Sequence, residues 1–148
     1  MSQSAFEIID LLQLEPHPEG GFYRQTHAGP EDGNGRPDST AIYYLLAAGD
    51  CSAWHRVVDA EEIWHYYAGG PLALTMSQNG HDAECHHLGP ELVAGQRPQI
   101  VVPANCWQCA ESLGEWTLVG CTVVPGFLFS SFEMAPVNWR PTPRKSEV

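Results

Sequence analysis

The sequence predicts an all-β domain, a sandwich or barrel with the jelly roll as one form, behind a single short N-terminal helix. Three observations carry this. Fourteen glycines and twelve prolines cut the 148 residues into short runs. The runs are rich in β-branched and aromatic residues and recur at regular spacing, the pattern of many short strands closed into a barrel or sandwich. A helix start signal stands at the N-terminus, where Ser4-Ala5-Phe6-Glu7 forms a capping box ahead of an apolar run.

The helix is expected over residues 5–12. Phe6, Ile9 and Leu12 recur at helical spacing, Ile8 and Leu11 widen the stripe, and Pro16 and Pro18 stop it. A β-barrel follows over residues 16–136. Strands are expected at Gly21–Thr26, Ser39–Leu46, Ser52–Val57, Glu62–Ala68, Leu72–Ser77 and Glu84–Leu88. Four more fall at Gln99–Val102, Cys106–Ala110, Trp116–Val123 and Phe127–Met134. Asn79-Gly80 is the strongest hairpin signal among the turns. Gly29–Pro37 reads as a flexible loop, and residues 137–148 as a tail that frays from Pro141. The length fits one domain, residues 1–148.

Composition excludes several functions. Eighteen acidic against seven basic residues give a net charge of −11, which opposes phosphate backbones and anionic lipid surfaces. Neither nucleic acid nor a membrane is therefore expected as a partner. The single lysine, Lys145, lies in the tail, which argues against a buried Schiff-base lysine. Five cysteines without a signal sequence predict free thiols and a cytoplasmic location. The lone Cys106-Trp107-Gln108-Cys109 lacks the second pair of a zinc site and the βαβ setting of a redox motif.

The densest chemical signal is residues 52–69. Strand alternation puts Glu62, Trp64 and Tyr66 on one face and Ile63, His65 and Tyr67 on the other. His55 and Val57 share a face on the preceding strand, so His55 and Glu62 are expected to meet inside the barrel. Such a pair in an aromatic pocket serves either a metal or acid–base chemistry. His65 is expected at the surface or a dimer interface, and a register slip of one residue would turn it inward as a base.

This segment resembles the first cupin motif, two histidines one residue apart followed by a glutamate and, after six intervening residues, a glycine. His55, Glu62 and Gly69 match, whereas Val57 stands at the second histidine. The best match to the second cupin motif is Pro103 to Gln108, with Asn105 at its glycine and Gln108 at its histidine. Pro16-His17-Pro18-Glu19-Gly20-Gly21-Phe22-Tyr23-Arg24 further resembles the opening signature of the cupin_5-type family. Ser39 to Leu46, His55-Arg56, Glu62 to His65, Leu88-Gly89-Pro90, Val102-Pro103-Ala104 and Val124 to Phe127 extend that likeness along the chain. The resemblance implies a cupin double-stranded β-helix, a homodimer, and a ligand-sized pocket in the barrel. The family is also similar to the sugar-nucleotide epimerase and isomerase branch of cupins.

The expected function is binding of a small anionic or sugar-like molecule in the barrel, with epimerase- or isomerase-type proton transfer in view. His55 is the expected base and Glu62 the group that orients it. Glu19, Tyr23, Arg24, Tyr44, Arg56, Trp64, Tyr66 and Gln108 are the expected ligand contacts. Arg24 and Arg56 either anchor a carboxylate or phosphate or pair with a neighbouring acid. A divalent metal is the one cofactor left open, held by His55, Glu62 and Gln108. The other reading of those residues is a hydrogen-bonded pair without metal. A non-enzymatic ligand-binding cupin is the alternative to an enzyme.

Overall fold

The structure, a computed structural model, describes residues 3–143. Met1, Ser2 and the last five residues of the expected tail, Lys145 included, lie outside the described residues. Helix α1 spans Ala5–Leu12, and Ser4 caps it by accepting a hydrogen bond from the Glu7 N–H. It ends at Gln13 in the left-handed region. The strands are β1 Glu15–Pro16, β2 Phe22–Ala28, β3 Thr40–Ala47, β4 His55–Val57, β5 Glu61–Gly69 and β6 Leu72–Ser77. They continue as β7 Glu84–Leu88, β8 Gln99–Val102, β9 Trp107–Ser112, β10 Trp116–Val124 and β11 Phe132–Met134.

Two antiparallel sheets form. One has the order β1-β2-β3-β10-β5-β8, the other β11-β4-β9-β6-β7. Their inner faces share one core, with Tyr44, Leu46, Trp64 and Val119 from the first sheet against Leu72, Leu74, Leu88 and Ala110 from the second. Sheets closed on one another in this way are a jelly roll. β3 is buried on both faces, which explains its unbroken apolar run. Its Tyr44 and Leu46 face inward, and Leu45 faces the helix together with Ile8 and Leu14.

Three expectations change here. Phe6 and Leu11 are exposed, and Ile8, Ile9 and Leu12 with Ala5 make the helix contact. The Gly29–Pro37 loop is tied down. Asp32 accepts from the Asn34 and Arg36 N–H groups, and the Arg36 guanidinium binds both Asp59 carboxylate oxygens and the Gly126 carbonyl. Only Phe132–Met134 of the expected 127–134 strand pairs, against β4. Its first part satisfies its backbone elsewhere: Phe127 N–H donates to Thr40 Oγ1, and Phe129–Ser131 is a 3-10 turn.

Candidate functional site

The site is assembled around a tight turn, His17 to Gly21. His17 N–H donates to the Gly21 carbonyl and Gly20 N–H to the His17 carbonyl. Gly21 has φ +76°, and a Cβ there would lie 2.7 Å from the Leu45 carbonyl oxygen. Only glycine lets this turn lie against β3. The Tyr44 hydroxyl donates to the Gly20 carbonyl, and Ala53 N–H donates to the Glu19 carbonyl. The turn thereby buries the Glu19 side chain, which is 7% exposed.

His55, the first residue of β4, meets it. Its Nε2 lies 2.7 Å from Glu19 Oε2. Its Nδ1 lies 2.8 Å from the Ala53 carbonyl oxygen, which can only accept, so Nδ1 carries a proton. The N–H at Nε2 is off the line to Glu19 Oε2, which has no aligned donor among the described residues. Glu19 N–H donates to His17 Nδ1, which places the proton of a neutral His17 on Nε2.

Glu62 enters from β5 on the same cavity. Gln108 Nε2 donates to Glu62 Oε1 at 2.8 Å, and Trp64 Nε1 donates to Gln108 Oε1 at 2.9 Å. The indole is a donor only, so it fixes which way the amide points. The Cys121 thiol lies beside the Glu62 carboxylate on the same cavity wall.

These contacts set the charges. Burial opposes the charged form of His55, but the Glu19 carboxylate outweighs it and raises the pKa to about 9. Burial works against the Glu19 carboxylate too, and the facing His55 nonetheless holds its pKa below the ordinary range. Burial raises Glu62 to about 7, with repulsion from Glu19 adding to it. Burial lowers His17. Near neutral pH the site therefore holds a His55–Glu19 ion pair beside a carboxyl poised between its two forms.

A cavity of about 120 Å³ opens on these groups. Glu19, His55, Glu62 and Cys121 supply its polar wall. Tyr23, Phe127, Phe129 and Phe132 supply much of the apolar one, and Glu15 lies exposed on its lining. A cavity of ~150 Å³ holds a benzene, so this one takes about five non-hydrogen atoms.

Of the residues expected at the site, Glu19, Tyr23, His55 and Glu62 line this one cavity. Tyr44, Trp64 and Gln108 are buried but do not line it; Tyr44 holds the turn, and Trp64 with Gln108 holds Glu62. Tyr66 is elsewhere, with its hydroxyl on the Gly69 carbonyl. Neither arginine reaches the cavity. Arg24 bonds Gln13, and Arg56 pairs with Glu133 and lies 4.4 Å over the Trp107 ring. His65 faces outward and contacts Thr122 and Gln99. His55 is oriented by Glu19 and Ala53 and holds its proton, which leaves Glu62 as the group able to accept one.

The three expected metal ligands do not fit a metal. The Gln108 oxygen is engaged by Trp64, its amide nitrogen faces Glu62, and His55 Nε2 is taken up by Glu19 at 2.7 Å. Among the described residues no group of three or more His, Cys, Asp or Glu side chains is placed to hold an ion. All five cysteines are free thiols. Sequence reasoning missed His17, Glu15 and the Phe127/Phe129/Phe132 wall. His17 lay within the recognised Pro16–Arg24 segment, which was the available signal.

Residues 6–135 match the family described as Cupin_5: Cupin superfamily (DUF985). The crystal structure of a Shewanella oneidensis protein is similar over 90% of this chain and 85% of that one, at 38% identity and a TM-score of 0.86. A hypothetical protein from Leishmania major shares 28% identity over 90% of this chain and 88% of its own, with a TM-score of 0.80. KdgF from Halomonas, at 17% identity, TM-score 0.56 and coverage of 76% and 86%, shares the fold. No curated protein matches. No helix among the described residues is long and apolar enough to cross a membrane. The chain belongs to the Cupin_5 family, and its fold is the cupin jelly roll.

Proposed function

We propose that this cupin is an acid–base enzyme of the isomerase or epimerase type, acting on a small molecule held in the barrel mouth. The observation that supports this is the pairing of Glu62, whose pKa is raised to about 7, with a protonated His55 on the same cavity. A catalytic group is most effective with a pKa near the working pH. The Glu62 carboxylate takes the proton from a carbon next to a carbonyl. The C–H electron pair forms the carbon–carbon double bond of an enol, and the carbonyl π pair moves onto oxygen. The His55 Nε2–H donates to that oxygen, while Glu19 holds the imidazolium. In a hydroxycarbonyl the adjacent hydroxyl then passes its proton, by way of His55, to the first oxygen and becomes the new carbonyl, while Glu62 returns its proton to the former carbonyl carbon, which restores both groups.

The cavity size favours a compact hydroxycarbonyl, or the sugar-like end of a larger molecule, over a wholly enclosed sugar nucleotide. The absence of arginine and lysine from the lining weighs against the anionic ligand expected from the sequence.

The test is hydrogen exchange. Dihydroxyacetone and aminoacetone in D₂O are followed by proton NMR with wild type and Glu62→Gln. The reading expects exchange at the carbon next to the carbonyl with wild type and none with Glu62→Gln. Exchange that persists in the variant overturns Glu62 as the base. Thermal stabilisation by either compound without exchange supports the non-enzymatic ligand-binding cupin instead. The reading includes a homodimer, for which light scattering would give twice the 16.3 kDa chain mass.

A further inference from the structure

We propose that the ligand of this cavity carries a positive charge, a small ammonium group seated between the Glu15 and Glu19 carboxylates and the Phe127, Phe129 and Phe132 rings. This rests on the acid–base reading above and adds the charge of the molecule acted on. Four observations carry it. The cavity is lined by three carboxylates, Glu15, Glu19 and Glu62, and by no lysine or arginine. Its one charged cation, His55, is matched by Glu19 at 2.7 Å, which leaves the charge of Glu15 uncompensated. Glu15 makes no ion pair among the described residues. Glu19 Oε2 is buried and, although His55 is its ion-pair partner, accepts no aligned hydrogen bond among the described residues, so it has room for an N–H from a ligand.

The apolar wall suits the same guest. Phe127, Phe129 and Phe132 form one cluster with ring centroids 5.0–6.3 Å apart and near-perpendicular planes. Aromatic faces attract cations, and alkylated ammonium groups are favoured because they shed water easily. An anion would meet carboxylates without a guanidinium. A neutral polyol would satisfy Glu19 Oε2 and leave Glu15 and the rings without a role. A trimethylammonium or primary ammonium head is within the size that the cavity takes.

The experiment uses shape-matched probes. Choline and 3,3-dimethylbutan-1-ol have nearly the same shape and differ in the charge at the branched centre. Binding of both, and of ethanolamine, is measured by calorimetry with wild type and Glu15→Gln. Choline or ethanolamine is expected to bind about tenfold more tightly than the neutral probe. Glu15 is exposed, so Glu15→Gln is expected to fold, to weaken the cations and to leave the neutral probe unchanged. Equal or tighter binding of the neutral probe overturns the proposal, as does failure of both cations to bind or cation binding indifferent to Glu15→Gln. The carboxyl titration of Glu62, followed by ¹³C NMR on the same samples, separates the two claims. If it titrates near 7 and the cations fail, the ligand charge alone is wrong. If it titrates as an ordinary glutamate, the acid–base reading falls whatever choline does.

Discussion

Replacing Gln108 by methionine removes the amide that donates to Glu62 while keeping nearly the same buried volume. In the native site that hydrogen bond favours the carboxylate and works against the burial that raises the Glu62 pKa to about 7. A hydrogen bond to a charged group is worth about 1.5–3 kcal/mol net. One pKa unit corresponds to about 1.4 kcal/mol, so the loss is expected to move Glu62 up by about one to two units. The variant therefore titrates near ~8 to 9. The Trp64 indole N–H, which has Gln108 as its partner, is left buried and unsatisfied at a cost of about 1–3 kcal/mol in stability.

The assay is a pH titration of protein labelled with ¹³C at the glutamate carboxyls, with the Glu62 signal assigned from its loss in Glu62→Gln. Amide spectra report whether Gln108→Met keeps the fold. A midpoint that stays near 7 or moves down in a folded variant would refute the claim that the Trp64–Gln108 relay sets the charge on Glu62.

Three further outcomes are expected. Turnover should follow a bell in pH, rising near 7 as Glu62 ionises and falling near 9 as His55 loses its proton, as rates measured from pH 5 to 10 would show. Glu62 holds its proton in the fold beyond the ordinary carboxyl range, so its contribution to stability is present below pH ~4.5 and lost as pH rises through 7. Glu62→Gln should therefore gain on wild type between pH 4.5 and 8, by ~3 kcal/mol in urea unfolding; no gain at pH 8 would show that burial does not penalise this carboxylate. Gly21→Ala meets both a positive φ and the Leu45 carbonyl, and should destabilise by ~3 kcal/mol or more in thermal melts.

Local signals were readable and distant ones were not. The helix lies where its capping box and periodicity put it, because both are written within nine residues. Alternation turned Glu62 and Trp64 inward, since their sheet buries one face there. The same rule decides the arginines. Tyr23 faces the cavity, so its neighbour Arg24 faces away, and Arg56 lies outward between the inward His55 and Val57. Reading the Pro16–Arg24 signature as one functional unit concealed this. The contact between Glu19 and His55 joins residues 36 apart through a glycine turn, and no period in the sequence announces it. The Phe127–Phe132 segment looked like a strand because it is apolar; it is apolar because it walls the cavity.

The departures from the cupin motifs at two histidine positions and the raised pKa of Glu62 share one physical cause. At the second histidine position of the first motif stands Val57, which packs with Ala60, Val123 and Phe127 beside the cavity. At the histidine of the second motif stands Gln108, whose amide presents N–H to Glu62. One position thus offers methyl groups and the other a donor, where lone pairs would be needed to hold a cation beside the carboxylate. Glu62 is left with the His55 charge, itself engaged by Glu19, and with a neutral amide and a thiol to stabilise it, buried near the negative Glu19. In that setting the carboxylate has too little compensation to persist well below neutrality, and the proton is retained until pH approaches 7. The substitutions that remove a metal donor set are the ones that turn Glu62 into a group able to carry a proton.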